Sequence, residues 1–482
     1  EFRRVLFRSK DLDELDEEDE VLLFETVTSA GWMPPSNGRR KDFRELTLSD
    51  TNSGDLTLDY KPKANIQLLY ASAHPERSTI AGTERTKKSV QILNLKKDSM
   101  TFEEKAGSER WSDFPIAVLP DTPVSGADIA SVILADLAAP ALALKKKGKS
   151  LPDAAWTDIL LRRPPRQSSG LLPHSHDKVA DITQALLESL DSYIPVQGPP
   201  GSGKTYTGAH VIAKLISDHG WKIGISSQSN AAIEHLMNSV REINGSISMA
   251  KECADGPNRP TYNIDKDSIG TWTSSKQNGY LVGGTAWKFA KADYRNLGLD
   301  LMVVEEAGQF SLANTIAVVS CARRALLLGD PQQLPQVSQG SHPEPVNESA
   351  LQYLLGEEKT IHDEMGYFLE TTYRLHPELA KHVSRLQYED RLLADQRCSK
   401  RNLDSIKPGL HVIQIDHQGN TSKSEEEGQA IVLKIKEVLG KKWTDTDKEG
   451  NPKEARPLTR SEEHTSELQS RQYLVCRLLL EK

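Results

Sequence analysis

The eight residues Gly198–Thr205 constrain the fold more than any other part of the sequence. They fit the pattern G-x-x-x-x-G-K-[ST]. An apolar run at Tyr193–Val196 precedes them and predicts a strand, and apolar residues at helical spacing follow them up to Gly220. In such a loop the glycines let backbone N–H groups wrap around a phosphate, and the helix N-terminus adds a partial positive charge. The stretch therefore predicts a nucleotide-binding loop between a strand and a helix.

The residue types in this loop have distinct roles toward a triphosphate. Lys204 is expected to reach the β- and γ-phosphates, and the Thr205 hydroxyl is expected to ligate Mg²⁺. The predicted nucleotide-binding residues are Gly198, Pro199, Pro200, Gly201, Ser202, Gly203, Lys204, Thr205 and Tyr206.

A loop of this kind works with an acid at the end of a second strand, which holds the metal. The apolar run Leu301–Val304 ends in Glu305 and Glu306. We expect Glu305 to ligate Mg²⁺ together with Thr205, and Glu306 to act as the base that orients the attacking water. Two acids after an apolar run also occur wherever a strand meets solvent, so this interpretation depends on the loop at 198–205.

Two further residues have the chemistry to act on the γ-phosphate. The apolar run Ala325–Leu328 ends at Gly329, and Gln333 lies four residues beyond that glycine, where its amide is expected to contact the γ-phosphate. Arg374 opens a second predicted α/β unit. An arginine across a cleft from such a loop stabilises the charge that builds during phosphoryl transfer, whereas a lone arginine is usually a surface ion pair. The predicted catalytic residues are Lys204, Glu306, Gln333 and Arg374.

The pattern along the chain predicts an α/β protein with a small β-rich accessory domain. The predicted segments are 44–125 (β-rich), 126–179 (helical stalk or linker), 180–364 (a parallel α/β domain) and 365–459 (a second, incomplete α/β domain). In the third segment Asn230 is expected to cap a helix, and Pro195 is unusual for a central strand. In the fourth we expect a strand at Leu410–Ile415 and a helix that begins after Ser424 and ends before Gly440.

Composition narrows the classes of protein and partner. The mean hydropathy is −0.51 and no uninterrupted apolar run approaches 18 residues, so a membrane-spanning protein is not expected. The four cysteines are far apart without a Cys-x-x-Cys pair, so we expect no structural metal cluster and an intracellular location, cytoplasmic or nuclear. The net charge is −8, so a polyanion would have to bind in a local basic groove.

Both ends of the chain resemble translated sequencing adapter. The stretches 1–9 and 460–468 can be back-translated to DNA sequences related by reverse complementation, which has no explanation at the protein level. We therefore expect 1–9 and 460–482 to be artefacts and the natural segment to span 10–459, cut at both ends. Residues 11–20 contain eight acids. The stretch 10–43 is thus expected to be an acidic linker or the end of an upstream domain.

Taken together, the motifs resemble those of the superfamily 1B helicases over about 180–459. The stretches that carry this resemblance are Gln197–Gly201 (motif I), Ser226–Ala232 (motif Ia), Glu305–Gln309 (motif II), Gly329–Pro335 (motif III) and Tyr373–Pro377 (motif IV). Three more stretches are similar to a branch with an N-terminal RecB-like nuclease, namely Leu160–Arg166, Gly283–Trp287 and Gly340–Pro343.

The resemblance implies two RecA-like domains, the second truncated, and a β-barrel insertion. It implies ATP as the nucleotide, hydrolysis coupled to 5′→3′ movement on single-stranded DNA or RNA, and it admits a nuclease domain in the same parent chain. The expected nucleic-acid contacts are Ser227, Ser229, Asn230 and Thr285, which follow predicted strands and would bind the phosphate backbone without reading sequence.

The chain departs from the family pattern in two places. Motif II normally begins with aspartate, and the extra methylene of Glu305 moves its carboxylate outward by about 1.5 Å. Motifs V and VI are missing, and motif VI would bring a second arginine to the γ-phosphate. The alternative function is therefore a nucleotide-gated nucleic-acid-binding module with weak or no hydrolysis. A small-molecule kinase would leave Gln333 and Arg374 without a role.

Overall fold

The computed structural model describes residues 22–23, 26–29, 31–34, 42–49, 65–72, 77–79, 85–96, 98–106, 110–119, 127–252, 260–265, 268–333, 344–346, 348–416, 424–447 and 449–459. The predicted artefacts at 1–9 and 460–482, the acidic run 11–20 and the stretch 340–343 lie outside the described residues. The chain divides into two compact units, 1–125 with 338–342 and 126–337 with 343–482.

The first unit is a β-rich unit built on one antiparallel sheet. Its strands are β1 Leu22–Leu23, β2 Thr26–Ser29, β3 Phe43–Ser49, β4 Asn65–Tyr70, β5 Ser78–Thr79, β6 Thr86–Leu95, β7 Ser99–Lys105 and β8 Ala117–Leu119. They pair in the order β1-β8-β4-β6-β7-β3-β2, with β5 beside β6. Alternate residues such as Leu46 and Leu48 point into the core, where they pack with Phe102. The strands β3 to β8 lie largely within the segment 44–125 that is predicted to be β-rich.

The second unit contains a seven-stranded parallel sheet. Its strands are β9 Tyr193–Gln197, β10 Lys222–Ser226, β11 Ser248–Lys251, β12 Tyr280–Gly283, β13 Leu299–Glu305, β14 Ala322–Gly329 and β15 Tyr367–Phe368. Their order is β11-β12-β10-β13-β14-β9-β15, and every neighbouring pair is parallel. Hydrophobic clusters cover both faces, which explains why these strands are continuous apolar runs.

Helices connect and cover these strands. In chain order they are α1 Ala127–Lys146, α2 Ala155–Leu160, α3 Lys178–Glu188, α4 Lys204–His219, α5 Asn230–Ile243, α6 Ile269–Ser274, α7 Ala286–Phe289, α8 Ala292–Arg295, α9 Leu312–Val319, α10 Ala350–Leu355, α11 Pro377–Gln387 and α12 Glu425–Val438. Gly220 ends α4 in the left-handed conformation, φ +65°, as glycine readily does. Ser424 caps α12, whose first turn holds three glutamates, as predicted.

Helix α1 bears on the prediction about membrane-spanning segments. Its 20 residues have a mean hydropathy of 1.8 over the most apolar window, of which 11% is buried, so by length and composition it could cross a membrane. The expectation that the chain does not span a membrane is therefore not confirmed. The helix has a π-helical section at Val132–Ala138, and Ile129 and Val132 are buried in the core of the second unit.

Two local predictions differ from the structure, and the unusual Pro195 lies in a strand as predicted. Ser229, and not Asn230, is the N-cap of α5, since its side chain accepts a hydrogen bond from the Ala232 N–H. Leu410–Ile415 is not a strand, because no neighbouring segment pairs with it among the described residues. Pro195 does lie within β9; β15 pairs with β9 only from Val196 onward, so on that side no strand requires an N–H from the proline.

The segment after residue 365 adds one strand, β15, to the seven-stranded sheet, and its later strands form two smaller sheets. Strand β15 pairs with β9, so the sheet extends past the predicted boundary at 364. The remaining described strands form a two-stranded pair, β16 Thr371–Thr372 with β17 Leu393–Ala394, and a three-stranded sheet, β18 Asn402–Leu403, β19 Lys442–Thr444 and β20 Arg456–Pro457. Within the second unit, β16 leads directly from the main sheet to Arg374.

Candidate nucleotide-binding site

The loop at 198–203 connects β9 to α4 at the carboxyl edge of the parallel sheet. Gly201 and Gly203 have φ of +74° and +84°, the left-handed region that favours glycine. The Gly198 N–H donates to the Gly329 carbonyl, 2.9 Å away, which fixes the start of the loop beside the end of β14. Lys204 Nζ donates to the Gly198 carbonyl at 2.7 Å, so the side chain folds back over the loop. The strand, loop and helix therefore form as predicted.

Glu305 lies at the end of β13, two strands away from β9. The Thr205 hydroxyl donates to its Oε1 at 3.1 Å. Its Oε2 is buried and has no hydrogen-bond partner among the described residues. Burial raises the pKa of Glu305 to about 7, the neighbouring Glu306 adds to this rise, and Lys204 and Thr205 oppose it. An orphaned carboxylate oxygen beside a threonine hydroxyl is a donor set of the kind that Mg²⁺ binds.

Glu306 begins a turn that packs tightly against Asp330, the residue after β14. Glu306 has φ +56°, uncommon for a residue with a side chain, and its carbonyl accepts from the Gln309 N–H at 2.8 Å. A Cβ on Gly308 would lie 2.2 Å from the Asp330 carbonyl oxygen, so only glycine fits there. The turn places the partly exposed Glu306 directly after the buried Glu305.

Gln333 is positioned by Asp330. Its amide donates to the Asp330 carboxylate at 3.2 Å, and the Tyr388 hydroxyl donates to the same carboxylate at 2.7 Å. Asp330 is buried. The structure thus places Gln333 at the same edge of the sheet as the loop, with its amide directed to Asp330. Asp330 and Tyr388 are 58 residues apart in the chain, and no sequence pattern indicates that they position Gln333.

The segment that carries Arg374 lies directly against the loop. The Tyr373 N–H donates to the Gly201 carbonyl at 2.8 Å, and the Thr372 hydroxyl donates to the Pro200 carbonyl at 2.8 Å. A Cβ on Gly201 would lie 2.2 Å from the Arg374 Cβ. The structure therefore places Arg374 next to the loop, with its Cβ packed against Gly201.

Two tyrosines lie beside Gly203. A Cβ on Gly203 would be 3.9 Å from the Tyr206 Cβ and 4.0 Å from the Tyr373 ring. Both side chains are largely exposed, and Tyr206 packs against His210 while the Arg397 guanidinium lies 4.8 Å from the Tyr373 ring centre. The prediction included Tyr206 but missed Tyr373, although its place in motif IV could have drawn attention to it.

The predicted nucleic-acid residues follow two neighbouring strands. Ser227, Ser229 and Asn230 come after β10, and Thr285 comes after β12, which pairs with β10. The hydroxyls of Ser226 and Ser227 and the Oε1 of Gln228 are buried without a partner in the part of the chain that the structure describes. Ser229 is occupied in capping α5, whereas Asn230 is exposed.

Comparisons with known proteins match this segment to a family. Residues 177–353 match the family model of an AAA domain. The regulator of nonsense transcripts 1 homolog of Drosophila melanogaster is 23% identical over 49% of this chain and 23% of its own length. The ATP-dependent helicase NAM7 of Saccharomyces cerevisiae is 25% identical over 44% of this chain and 25% of its own. The chain has a RecA-like P-loop fold over this segment and is similar there to superfamily 1 helicases.

Further matches set the limits of this likeness. The 5'-3' DNA helicase ZGRF1 of Mus musculus is 25% identical over 41% of this chain and 13% of its own length. The chain thus spans about a quarter or less of these curated relatives. An arterivirus nonstructural protein 10 helicase in complex with DNA aligns over 70% of this chain and 59% of its own at 12% identity, with a TM-score of 0.32, too low to establish a detailed structural match.

Proposed function

We propose that this chain belongs to an ATP-dependent helicase or translocase that couples ATP hydrolysis to movement on single-stranded DNA or RNA. The observation that carries the proposal is the arrangement at one edge of the sheet. Lys204, Thr205 and Glu305 meet there, with Glu306 adjacent in the chain, and the segment of Arg374 lies on the loop from another part of the chain. Such convergence of a cation, a metal-ligating pair and an arginine suits phosphoryl transfer.

The residues present fit a Mg²⁺ ion. Thr205 and Glu305 would hold it, because the buried Oε2 of Glu305 lacks a partner among the described residues and a buried unpaired carboxylate is unfavourable. When bound, Mg²⁺ would supply positive charge that offsets the negative charge of the phosphates. Although the side chain of Glu305 is one methylene longer than that of aspartate, its Oε1 accepts a hydrogen bond from the Thr205 hydroxyl.

The protein groups have separate tasks toward ATP. Backbone N–H groups of the loop and the N-terminus of α4 bind the phosphates, and Lys204 exchanges its bond to the Gly198 carbonyl for the β- and γ-phosphates. Glu306 accepts the proton of the attacking water. Arg374 stabilises the charge that spreads over the γ-phosphate oxygens, and Gln333, held by Asp330, contacts the same group. The rings of Tyr206 and Tyr373 offer aromatic surfaces on which the adenine of ATP can stack.

Nucleic acid would bind across the ends of β10 and β12. The buried hydroxyl of Ser227, the exposed Asn230 and the half-buried Thr285 supply donors for a phosphate backbone, as sequence-tolerant binding requires. The relatives include a 5'-3' DNA helicase and a homolog of a regulator of nonsense transcripts, so both DNA and RNA are included in the proposal. The nuclease branch stays a prediction, since these relatives support only the helicase class.

ATP hydrolysis measured with and without a single-stranded oligonucleotide tests the proposal. We expect Mg²⁺-dependent hydrolysis of ATP whose rate rises at least about tenfold when the oligonucleotide is saturating. The reason is that the oligonucleotide and ATP would both bind at the carboxyl ends of β-strands of the same sheet. Double-stranded DNA of the same sequence serves as the control. An ATP hydrolysis rate that is the same with and without the single-stranded oligonucleotide would contradict the coupling of hydrolysis to nucleic-acid binding. Hydrolysis that EDTA does not affect would contradict the assignment of Mg²⁺.

The raised pKa of Glu305 predicts a pH-dependent affinity for Mg²⁺. With a pKa of about 7, the carboxyl is protonated at lower pH, so the proton competes with the metal as pH falls through 7. We expect the Mg²⁺ concentration that gives half-maximal binding of a fluorescent ATP analogue to rise about tenfold per pH unit below about pH 7. Glu305→Gln is the matched control and corrects for protonation of ATP itself. Equal pH dependence in parent and variant would contradict the prediction.

A second candidate is a nucleotide-gated binding module with weak or no hydrolysis. It is favoured by Glu305, which is buried, carries a raised pKa and stands where the family pattern has aspartate. The two candidates differ in one measurement. Nucleotide-dependent binding of the oligonucleotide without turnover of ATP supports the module, whereas turnover supports the motor.

A further inference from the structure

The Thr372 hydroxyl joins the nucleotide loop to the segment of Arg374. It is fully buried and donates to the Pro200 carbonyl at 2.8 Å. The same oxygen accepts from the N–H groups of Arg374 and Leu375, at 3.2 and 3.3 Å. A hydroxyl has one donor and two acceptor positions, so every hydrogen-bonding position of this side chain is used. One atom thus fixes the distance between the loop and the backbone of Arg374.

Arg401 holds the other side of the same residue. Its Nη1 donates to the Arg374 carbonyl at 2.7 Å, and its Nε donates to Asp445 at 2.9 Å. Asp445 is buried and also accepts from Lys453 Nζ at 2.9 Å, which anchors Arg401 in the three-stranded sheet β18–β20. Both backbone polar groups of Arg374 are therefore bound by side chains, one from each direction.

The contact between the two segments leaves no room for adjustment. A Cβ on Gly201 would lie 2.2 Å from the Arg374 Cβ and 3.1 Å from the Thr372 hydroxyl oxygen. The Tyr373 N–H adds a hydrogen bond to the Gly201 carbonyl. The position of Arg374 is thus set by the loop itself, and a shift of the loop would be transmitted to it.

We propose that Thr372 is a positioning residue for ATP hydrolysis, whose hydroxyl sets the place of Arg374 relative to the nucleotide loop. The proposal rests on the proposed ATPase function. An arginine that stabilises the γ-phosphate must stand within hydrogen-bond reach, and a displacement of about 1 Å lowers rates by about a hundredfold. The Thr372 hydroxyl is buried and bonded to three backbone groups, so it acts on hydrolysis through Arg374.

Thr372→Val tests this role, because valine keeps the shape and removes the hydroxyl. In the full chain we expect kcat for ATP to fall about 10- to 100-fold, with affinity for a fluorescent ATP analogue within about threefold of the parent. Thr372→Ser should restore kcat to within about threefold, since it restores the hydroxyl. Thr371→Val, on the partly exposed neighbour in β16, is the matched control and should leave kcat unchanged.

A double-mutant cycle separates positioning from simple stabilisation of the fold. In an Arg374→Ala background, Thr372→Val should lower kcat less than about twofold, because the group it positions is absent. If Thr372→Val does not fold, Arg401→Met takes its place. It removes the hydrogen bond to the Arg374 carbonyl and leaves the loop unchanged. We expect it to lower kcat in the parent but to have little further effect in the Arg374→Ala background.

The outcomes are distinguishable. Effects of Thr372→Val that multiply with Arg374→Ala, or that lower nucleotide affinity as much as kcat, overturn the positioning role. So does a kcat equal to that of the parent. In each of these cases the parent still hydrolyses ATP and the proposed function stands. A parent chain that hydrolyses no ATP overturns both.

Discussion

Replacing Arg374 with alanine should lower kcat for ATP hydrolysis by about 10³- to 10⁵-fold, the range for an arginine that stabilises a transferring phosphoryl group. Alanine retains the Cβ that packs at Gly201 and the backbone groups that bind Thr372 and Arg401. The loop contact therefore survives, and we expect nucleotide affinity to stay within about threefold of the parent. The loss appears in kcat because the guanidinium contributes mainly in the transition state.

Steady-state ATPase rates and equilibrium binding of a fluorescent ATP analogue measure the two quantities separately. Arg385→Ala, an exposed arginine in α11, is the matched control and should change neither. Arg374→Lys keeps the charge but not the forked donor geometry, and should recover only part of the rate. An Arg374→Ala variant with the parent's kcat would show that Arg374 is merely a surface side chain next to the loop.

Glu306→Gln should lower kcat by about 10²- to 10⁴-fold, since glutamine cannot accept the proton of the attacking water. The substitution keeps the size of the side chain, and the residue has a backbone φ of +56° in a tightly packed turn. It also removes one of the two causes that raise the pKa of Glu305, so that residue ionises more readily. We therefore expect binding of ATP and Mg²⁺ to be retained or strengthened while turnover stops.

Single-turnover hydrolysis with ATP bound before the reaction starts is the measurement for this variant, because it excludes effects on binding. Glu357→Gln, an exposed glutamate after α10, is the matched control. If Glu306→Gln and Glu357→Gln turn over ATP equally fast, the general base lies elsewhere, and the alternative of a binding module without this base gains support.

The parts of the fold that sequence could predict depend on neighbours in the chain. The strand, loop and helix around 193–219 are specified by local patterns: an apolar run, glycines at positive φ, and apolar residues at helical spacing. Helix α12 followed from its cap at Ser424 and the acids of its first turn. The same rules placed the cap of α5 one residue late, because Ser229 and Asn230 both have capping side chains.

The parts that sequence could not predict depend on distant partners. Leu410–Ile415 has strand composition, but a strand needs a paired neighbour, and among the described residues none pairs with it. The bond between Thr372 and Pro200 joins residues 172 positions apart, and the composition of neither segment indicates it. Tyr388 and Asp330 are likewise joined only by the fold. Motif spacing could name Arg374 and Gln333, but not the side chains that position them.

A structure of the Glu306→Gln chain with Mg²⁺ and ATP bound tests the central claim most directly. The account predicts one triphosphate in the loop at 198–205, with Lys204 and Arg374 at hydrogen-bond distance, about 2.7–3.2 Å, from γ-phosphate oxygens. It also predicts Mg²⁺ at about 2.0–2.1 Å from the Thr205 hydroxyl, with Glu305 binding it directly or through water. A triphosphate bound elsewhere, or bound in the loop with Arg374 turned away to solvent, would contradict it.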